Sequence, residues 1–416
     1  MSAKETVLLE ATLDELKHLF SPRALTGETM VLNMGPQHPS THGVLRVIVE
    51  LDGEIIVNAV PDIGFLHTGI EKNMEAKTFT KALVMTDRLD YLNNMGNNLT
   101  YCLAVEKLMG VQVPERAQII RVILAELQRL ASHLVWLGTH SLDIAVQSPL
   151  FWAVGARERI LNIFESISGQ RMMTSYIRPG GLWRDLTPEF EPAVWAFLDY
   201  LPPLLNDFEA LLTQNPIWLD RTVGVGVVSG EDALAWGMTG ASLRGSGVNF
   251  DIRKAMPYSG YENYTFDVPL GQNGDVYDRY LVRMQEFRQS IRIIEQAMAH
   301  LQKVGAGPVM TNDRKVAPPP RAEIGVSMEA LIHHFKLWTE GFNAPKGEVY
   351  VATESPRGEL GVFLRGNGGP KPHRVHFRTP SYFNLQPTAE ISRGHYVADV
   401  VAIVGSVDIV LGDVDR

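Results

Sequence analysis

Three groups of side chains in this sequence have the types and spacing to move protons. Gly35-Pro36-Gln37-His38-Pro39-Ser40-Thr41-His42-Gly43 sets two histidines four residues apart. On a helix that interval would put both imidazoles on one face for a metal, but Pro39 and the flanking glycines break a helix, so the segment reads as a loop entering a strand. A turn with hydrogen-bonded histidines fits this pattern, and so does a tight loop that offers an imidazole to a ligand as proton donor. Thr86-Asp87-Arg88-Leu89-Asp90-Tyr91-Leu92-Asn93-Asn94 reads as the polar opening of a helix, with carboxylates that suit the helix dipole. Tyr91, between Leu89 and Leu92, is then either a core tyrosine with a satisfied hydroxyl or an acid–base group. Asp143, in His140-Ser141-Leu142-Asp143-Ile144-Ala145, follows the most apolar helix. A carboxylate there either caps the helix or lies near the interior and needs a partner. Glu71, Lys72 and Glu75 read as ordinary pairing along a helix.

The elements that must hold these groups follow from hydrophobic periodicity. Val44 to Leu51 and Glu54 to Val60 flank Asp52-Gly53, the signature of a hairpin in a small antiparallel sheet spanning Met30 to Leu66. Apolar residues at three- and four-residue spacing predict helices over Ile70 to Leu83, Asp87 to Met109, Pro114 to Thr139 and Pro149 to Ser168. The third is apolar nearly all round and so central in a bundle. Two more helices are expected at Pro188 to Leu212 and Val276 to Val304, separated by a Gly-rich irregular stretch. After the stiff link Val316-Ala-Pro-Pro-Pro-Arg321 come a helix (Ser327 to Glu340), strands at Glu348 to Ala352, Gly361 to Arg365 and Arg374 to Phe377, and an apolar C-terminal segment. The fold class is α+β: a helical bundle between an N-terminal antiparallel sheet and a C-terminal α+β region. Its expected divisions are an arm (1–28, with an amphipathic helix around Leu13, Leu16, Leu19 and Phe20), a sheet region (29–68), a bundle core (69–315) and the C-terminal region (316–416).

Composition removes several function classes. Lys+Arg 38 against Asp+Glu 47 gives a net charge of −9 with no basic block, so nucleic acid is a poor partner. A lone cysteine, Cys102, excludes an internal disulfide and any thiolate-held metal cluster belonging to this chain alone, and it suits a reducing compartment. The N-terminus lacks the basic start and unbroken apolar run of a signal peptide. Gln118 to Leu137 and Tyr396 to Leu411 are interrupted by charges, so neither reads as a membrane span, and membrane contact is expected to be peripheral. Val304-Gly-Ala-Gly-Pro308 and Arg365-Gly-Asn-Gly-Gly369 lack the dinucleotide fingerprint and P-loop spacings, so a nicotinamide cofactor is not expected on this chain.

Taken in order, GPQHPSTHGVLR (35–46), PDIGFLHTGIEK (61–72), DRLDYLNN (87–94), SLDIA (141–145), SYIRPGG (175–181), ATESPRGELG (352–361) and GDVDR (412–416) resemble the quinone-site subunit of bacterial respiratory complex I, NADH-quinone oxidoreductase. The resemblance runs from about Val31 onward. It implies a fold like the nickel–iron hydrogenase large subunit, with the metal gone. Asp90 and Asn93 stand where that fold's first cysteine pair would be, and Val410 and Asp413 where the second would be. Without soft ligands nickel cannot be held there.

The same resemblance implies that His42 and Tyr91 hydrogen-bond the two quinone oxygens and that Asp143 pairs with His42. It makes His67 and Arg88 residues near the electron-donating cluster and His38 a loop-shaping residue. No cofactor is expected on this chain alone. Quinone is the expected substrate, and electrons are expected from an iron–sulfur cluster in a neighbouring small subunit. Further expected partners are peripheral-arm subunits and a membrane-arm quinone-channel subunit, all at the cytoplasmic face of the bacterial inner membrane, where quinone reduction would drive proton pumping. A hydrogenase large subunit, which the cysteine count opposes, and a non-catalytic scaffold are the competing readings.

Overall fold

The computed structural model describes residues 28–38 and 43–416. The arm expected before Glu28 and the loop residues 39–42, His42 included, lie outside the described residues.

β-Branched residues build the first sheet. Strand β2 (Arg46–Asp52) pairs antiparallel with β1 (Met30–Met34) on one side and β3 (Ile55–Asp62) on the other. The hairpin turns at Asp52-Gly53, where Gly53 has φ +65°. The inner face of this sheet (Leu45, Val47, Val49, Leu51) packs against Val400, Val404, Val407, Ile409, Leu411 and Val414 near the other end of the chain.

The expected helix over Ile70 to Leu83 is two helices, α1 (Ile70–Glu75) and α2 (Phe79–Thr86). They break at Thr78, whose side chain accepts from the Lys81 amide and so starts a new helix. The helix expected from Asp87 begins only at Asn94, as α3 (Asn94–Met109). Residues 87–93 form turns instead, because two asparagine side chains one turn into α3 reach back over them. Asn97 Nδ2 donates to the carbonyls of Thr86 and Asp90 at 3.0 and 2.9 Å, and Asn98 Nδ2 donates to Thr86 Oγ1 and Asp87 Oδ1 at 2.9 and 2.8 Å. These amides offer the backbone an alternative to helix.

The bundle follows as expected, with α4 (Glu115–Asp143), α5 (Ser148–Ser168), α6 (Phe190–Leu212) and α7 (Val276–Val304). Helix α4 is buried over almost its full circumference and packs on both α5 and α7. The Gly-rich stretch before α7 carries short helices at Pro216–Thr222, Gly230–Ala235, Gly240–Gly245 and Ile252–Ala255. Beyond it lie α8 (Met328–Thr339) and an antiparallel sheet, β4 (Gly347–Ser355), β5 (Gly358–Gly366) and β6 (Arg374–Arg378). That sheet sits on α3, and its Leu360, Val362, Leu364, Val375 and Phe377 share one apolar core with the bundle. The C-terminal segment forms α9 (Val397–Val407) and α10 (Leu411–Asp415). The architecture is thus mixed α+β.

A charged cluster is sealed inside the bundle. Glu126 of α4 meets Arg253 at 3.1 Å and Arg129 at 3.2 Å, and it accepts from the Tyr261 and Ser290 hydroxyls at 2.6 and 2.7 Å. Arg244 pairs with Glu286 and, at 2.7 Å, with Glu354, while Arg253 also holds Asp251 at 2.6 Å. Burial opposes ionisation of Glu126, yet Arg129, Arg253 and the two hydroxyls outweigh it and bring the carboxyl down to about 2. Burial opposes ionisation of Asp251 as well, and Arg253 and Arg244 overcome it to hold that carboxyl at about 2. Glu354 goes the other way, with burial raising it against Arg244.

Candidate functional site

Helix α4 places Val135, Trp136, Thr139, Leu142 and Asp143 along one face, the spacing expected of successive helical turns. They form one wall of a cavity of about 480 Å³. Tyr91 and Leu92 of the turn before α3, Ile409 and Val410 of the α9–α10 junction, Gly43, Arg357 and Asp408 complete it. Tyr91 and Asp143, far apart in the chain, therefore face the same hollow. Asp143 is the last residue of α4, so it both ends the helix and lines the cavity. Gly43, which directly follows His42 in the sequence, is part of the same lining.

The wall is built by close backbone approach. A side chain at Gly412 would put its Cβ 2.4 Å from the Leu89 carbonyl oxygen and 2.9 Å from that of Arg88, so only glycine lets the C-terminal segment lie on the 87–93 turn. Trp136 Nε1 donates to the Gly405 carbonyl at 2.8 Å and ties α4 to α9. Gln128 Nε2 donates to the Leu92 carbonyl at 2.7 Å and fixes the turn that bears Tyr91.

Beneath the cavity, the Arg357 guanidinium lies between two carboxylates. Its Nη1 donates to Asp90 Oδ2 and to Ser132 Oγ, both at 2.7 Å, and its Nη2 donates to Asp408 Oδ1 at 3.1 Å. Asp408 ends α9 in the left-handed region (φ +56°), which an aspartate tolerates better than most residues. Burial raises the Asp408 carboxyl to about 6 against Arg357 and Arg283. It raises Asp413 to about 7, with Asp90 adding to the rise and the Ser381 hydrogen bonds opposing it. Burial brings Asp143 up to about 7. The Tyr91 phenol is pushed up by burial and by Asp90, and eased back by Arg357. Of these groups Tyr91, Asp143 and Asp408 line the cavity, and each is shifted toward its protonated form. A site of this kind can donate protons to a ligand that gains negative charge.

The other candidate residues lie elsewhere. His67 is exposed, with Nδ1 2.7 Å from the Asp415 carbonyl oxygen, and it lines a separate hollow of about 380 Å³ with Glu71, Arg374 and Arg416. The Asp415 carboxylate accepts there from the amides of Gly64 and Leu66 at 2.8 and 2.6 Å. Arg88 is exposed and donates to the Val84 carbonyl at 2.7 Å, lining neither hollow. His38 is exposed at the edge of the described loop. Single-residue reasoning on the sequence misses Arg357, Asp408 and Trp136. The ATESPRGELG segment (352–361) carries a signal for Arg357, as a segment and not as a side chain. Among the described residues no group of three or more His, Cys, Asp or Glu is arranged to hold a metal, and no helix is long and apolar enough to cross a membrane.

Comparison with known proteins gives consistent matches. The family model for the respiratory-chain NADH dehydrogenase 49 Kd subunit matches residues 143–416. An NADH-quinone oxidoreductase subunit of Chloroflexus aurantiacus is 61% identical over 389 residues, covering 94% of this chain and 95% of that protein. Its counterpart in Citrifermentans bemidjiense is 52% identical over 392 residues, 94% of this chain and 100% of that protein. NADH-quinone oxidoreductase subunit 4 of Thermus thermophilus is 52% identical over 412 residues, 99% of this chain and 98% of that protein.

Proposed function

Since this chain belongs to the family of the respiratory-chain NADH dehydrogenase 49 Kd subunit, and is a subunit of the NADH:quinone oxidoreductase complex, we propose that the cavity between α4, the Tyr91 turn and the α9–α10 junction is where quinone is reduced. The observation that carries this reading is that Tyr91 and Asp143 line one largely apolar hollow, with a buried guanidinium in its wall. Leu92, Val135, Trp136, Leu142, Ile409 and Val410 suit a lipophilic ring, and the few polar groups would orient it.

Reduction adds two electrons and two protons to the quinone. In an apolar hollow, charge on either oxygen is costly unless donors stand ready. Tyr91 would give its hydroxyl proton to one oxygen. By family resemblance His42 would give a proton to the other, with Asp143 paired to His42. Electrons would come from an iron–sulfur cluster of a neighbouring small subunit, since this chain has only Cys102, which is buried. That neighbour would face the His67 hollow, with Arg88 near the same cluster and His38 shaping its loop.

The fold itself we read as that of a hydrogenase large subunit emptied of metal. Support comes from the Gly412 contact, which lays the segment bearing Val410 and Asp413 on the turn bearing Asp90 and Asn93. On that reading the divisions 29–68, 69–315 and 316–416 would be a sheet, a bundle and the closing α+β region of that fold, with 1–28 set apart from it in the sequence. In the assembled enzyme the chain would sit peripherally at the cytoplasmic face of the inner membrane, against peripheral-arm subunits and a membrane-arm quinone-channel subunit, with proton uptake at the cavity driving pumping.

Tyr91→Phe in the assembled complex tests the assignment. Turnover with a short-chain quinone is expected to fall on the order of 10²-fold while electron input to the iron–sulfur clusters is unchanged. Normal turnover and affinity would overturn the donor role and favour a scaffold.

A further inference from the structure

The turn between β4 and β5 sends Arg357 into the floor of the cavity, where its side chain is 1% exposed. Both terminal nitrogens are engaged, by Asp90, Ser132 and Asp408, while Nε has no hydrogen-bond partner among the described residues. The two carboxylates belong to two segments that line the cavity. Asp90 is joined through the backbone to Tyr91, and Asp408 to Ile409. Asp408 Oδ2 and Asp413 Oδ1 are buried without hydrogen-bond partners among the described residues, so the floor is short of donors around a single clamp. The neighbouring cation, Arg283, spends Nη1 on the Ser406 and Arg279 carbonyls and lies over the Trp136 ring, 4.5 Å from its centroid.

We propose that Arg357 is a positioning residue for quinone reduction: it clamps the Tyr91 turn to the α9–α10 wall and supplies the fixed positive charge that offsets the phenolate formed when Tyr91 gives up its proton. This role rests on the quinone-site reading above. In that step the Tyr91 O–H bond breaks and an O–H bond forms on a quinone oxygen, with the electrons supplied by the neighbouring subunit's cluster. The negative charge left on the phenol oxygen is then repelled by Asp90 and attracted by Arg357. A guanidinium keeps its proton throughout, so Arg357 acts by its charge and geometry and is not itself a donor. A simpler role is that Arg357 only balances two buried carboxylates.

Three variants in the assembled complex separate the two roles. Arg357→Lys keeps a cation in the floor. Arg357→Gln with Asp408→Asn removes one cation and one carboxylate together, so the local charge sum is preserved without the clamp. Tyr91→Phe is assayed beside them. A purely structural role requires the lysine and paired variants to turn over alike. The proposal requires the paired variant to lose on the order of 10²-fold in kcat with short-chain quinone, and lysine to recover about tenfold of that. KM should change less than kcat in both.

The pH profile is the second readout. The titratable and charged groups facing Arg357 are Asp90, Tyr91, Asp408, Asp413 and Arg283. Without the guanidinium, protonation of the remaining carboxylates relieves the repulsion of the phenolate, so kcat of the paired variant should rise as pH falls, a shape the wild type and lysine variant lack. Equal kcat and parallel profiles for the lysine and paired variants, with Tyr91→Phe inactive, would overturn the role of Arg357 alone. An active Tyr91→Phe would instead overturn the quinone-site reading beneath it.

Discussion

Two buried charged regions a few side chains apart are built from the same residue types and behave oppositely. In the bundle interior, Glu126 and Asp251 are matched by Arg129, Arg244 and Arg253 and stay ionised to about pH 2. Around the cavity, Arg357 alone clamps two of the buried carboxylates, and Asp408, Asp413 and Asp143 hold protons up to about 6, 7 and 7. Arg283 links the regions, feeling both Asp408 and Glu286. The difference teaches that burial alone does not decide charge; cations within reach oppose it, and they win at Glu126 and Asp251 but not at Glu354. One region keeps Glu126 and Asp251 ionised, the other is shifted toward holding protons.

The contrast breaks most readily at Arg244. Arg244→Met leaves Glu286 and Glu354 without their shared cation in a site with no exposure, and should cost ~3–5 kcal/mol of stability, read by denaturant unfolding. A loss under ~1 kcal/mol would mean that the interior cluster is not the rigid partner of the comparison.

The second test is the sign of the pH dependence. Glu126 has a lowered folded value, so its contribution is present above the ordinary 4.5 and is lost as pH falls toward about 2. Asp413 has a raised one, so its contribution is present below the ordinary 3.8 and is lost as pH rises through about 7. Stability measured from about pH 4 to 8 should therefore fall more steeply in wild type than in Asp413→Asn, by at most roughly 1.4 kcal/mol per pH unit. Parallel curves would erase the distinction between the regions.

The smallest stability effect is expected at Asp143. Its carboxyl is largely neutral below about 7, so Asp143→Asn should change stability at about pH 6 by less than ~1 kcal/mol. Quinone turnover should nonetheless drop at least about tenfold, as expected for a group that takes part in proton transfer. A variant that unfolds while its residual fraction turns over normally would make Asp143 a structural residue.

Much of the fold is visible in the sequence, for identifiable reasons. Long periodic segments locate α4 and α7 within a few residues of their ends, and Asp52-Gly53 marks the β2–β3 hairpin. The breaks at Thr78 and at Asn94 are not visible, because side-chain capping by Thr78, Asn97 and Asn98 decides them, and periodicity does not report capping. Tyr91 and Asp143 stand out as residues of suitable chemistry. Their common hollow does not, since it depends on Gly412 lying against Leu89. Arg357 is hidden for the same reason: its partners Asp90 and Asp408 are 267 and 51 residues away.

Long separations also govern when this site can come into being. The Asp415 carboxylate that caps the Gly64 and Leu66 amides is 351 and 349 residues from them. On the ribosome, α4 and the Tyr91 turn emerge long before α9 and α10, so Asp90 and Tyr91 are made well before Asp408. Loop closure over such distances is slow, and the waiting surface is apolar. A nascent chain of this kind needs shielding until its last helices dock, which makes biogenesis, and not only chemistry, sensitive to substitutions near the C-terminal end.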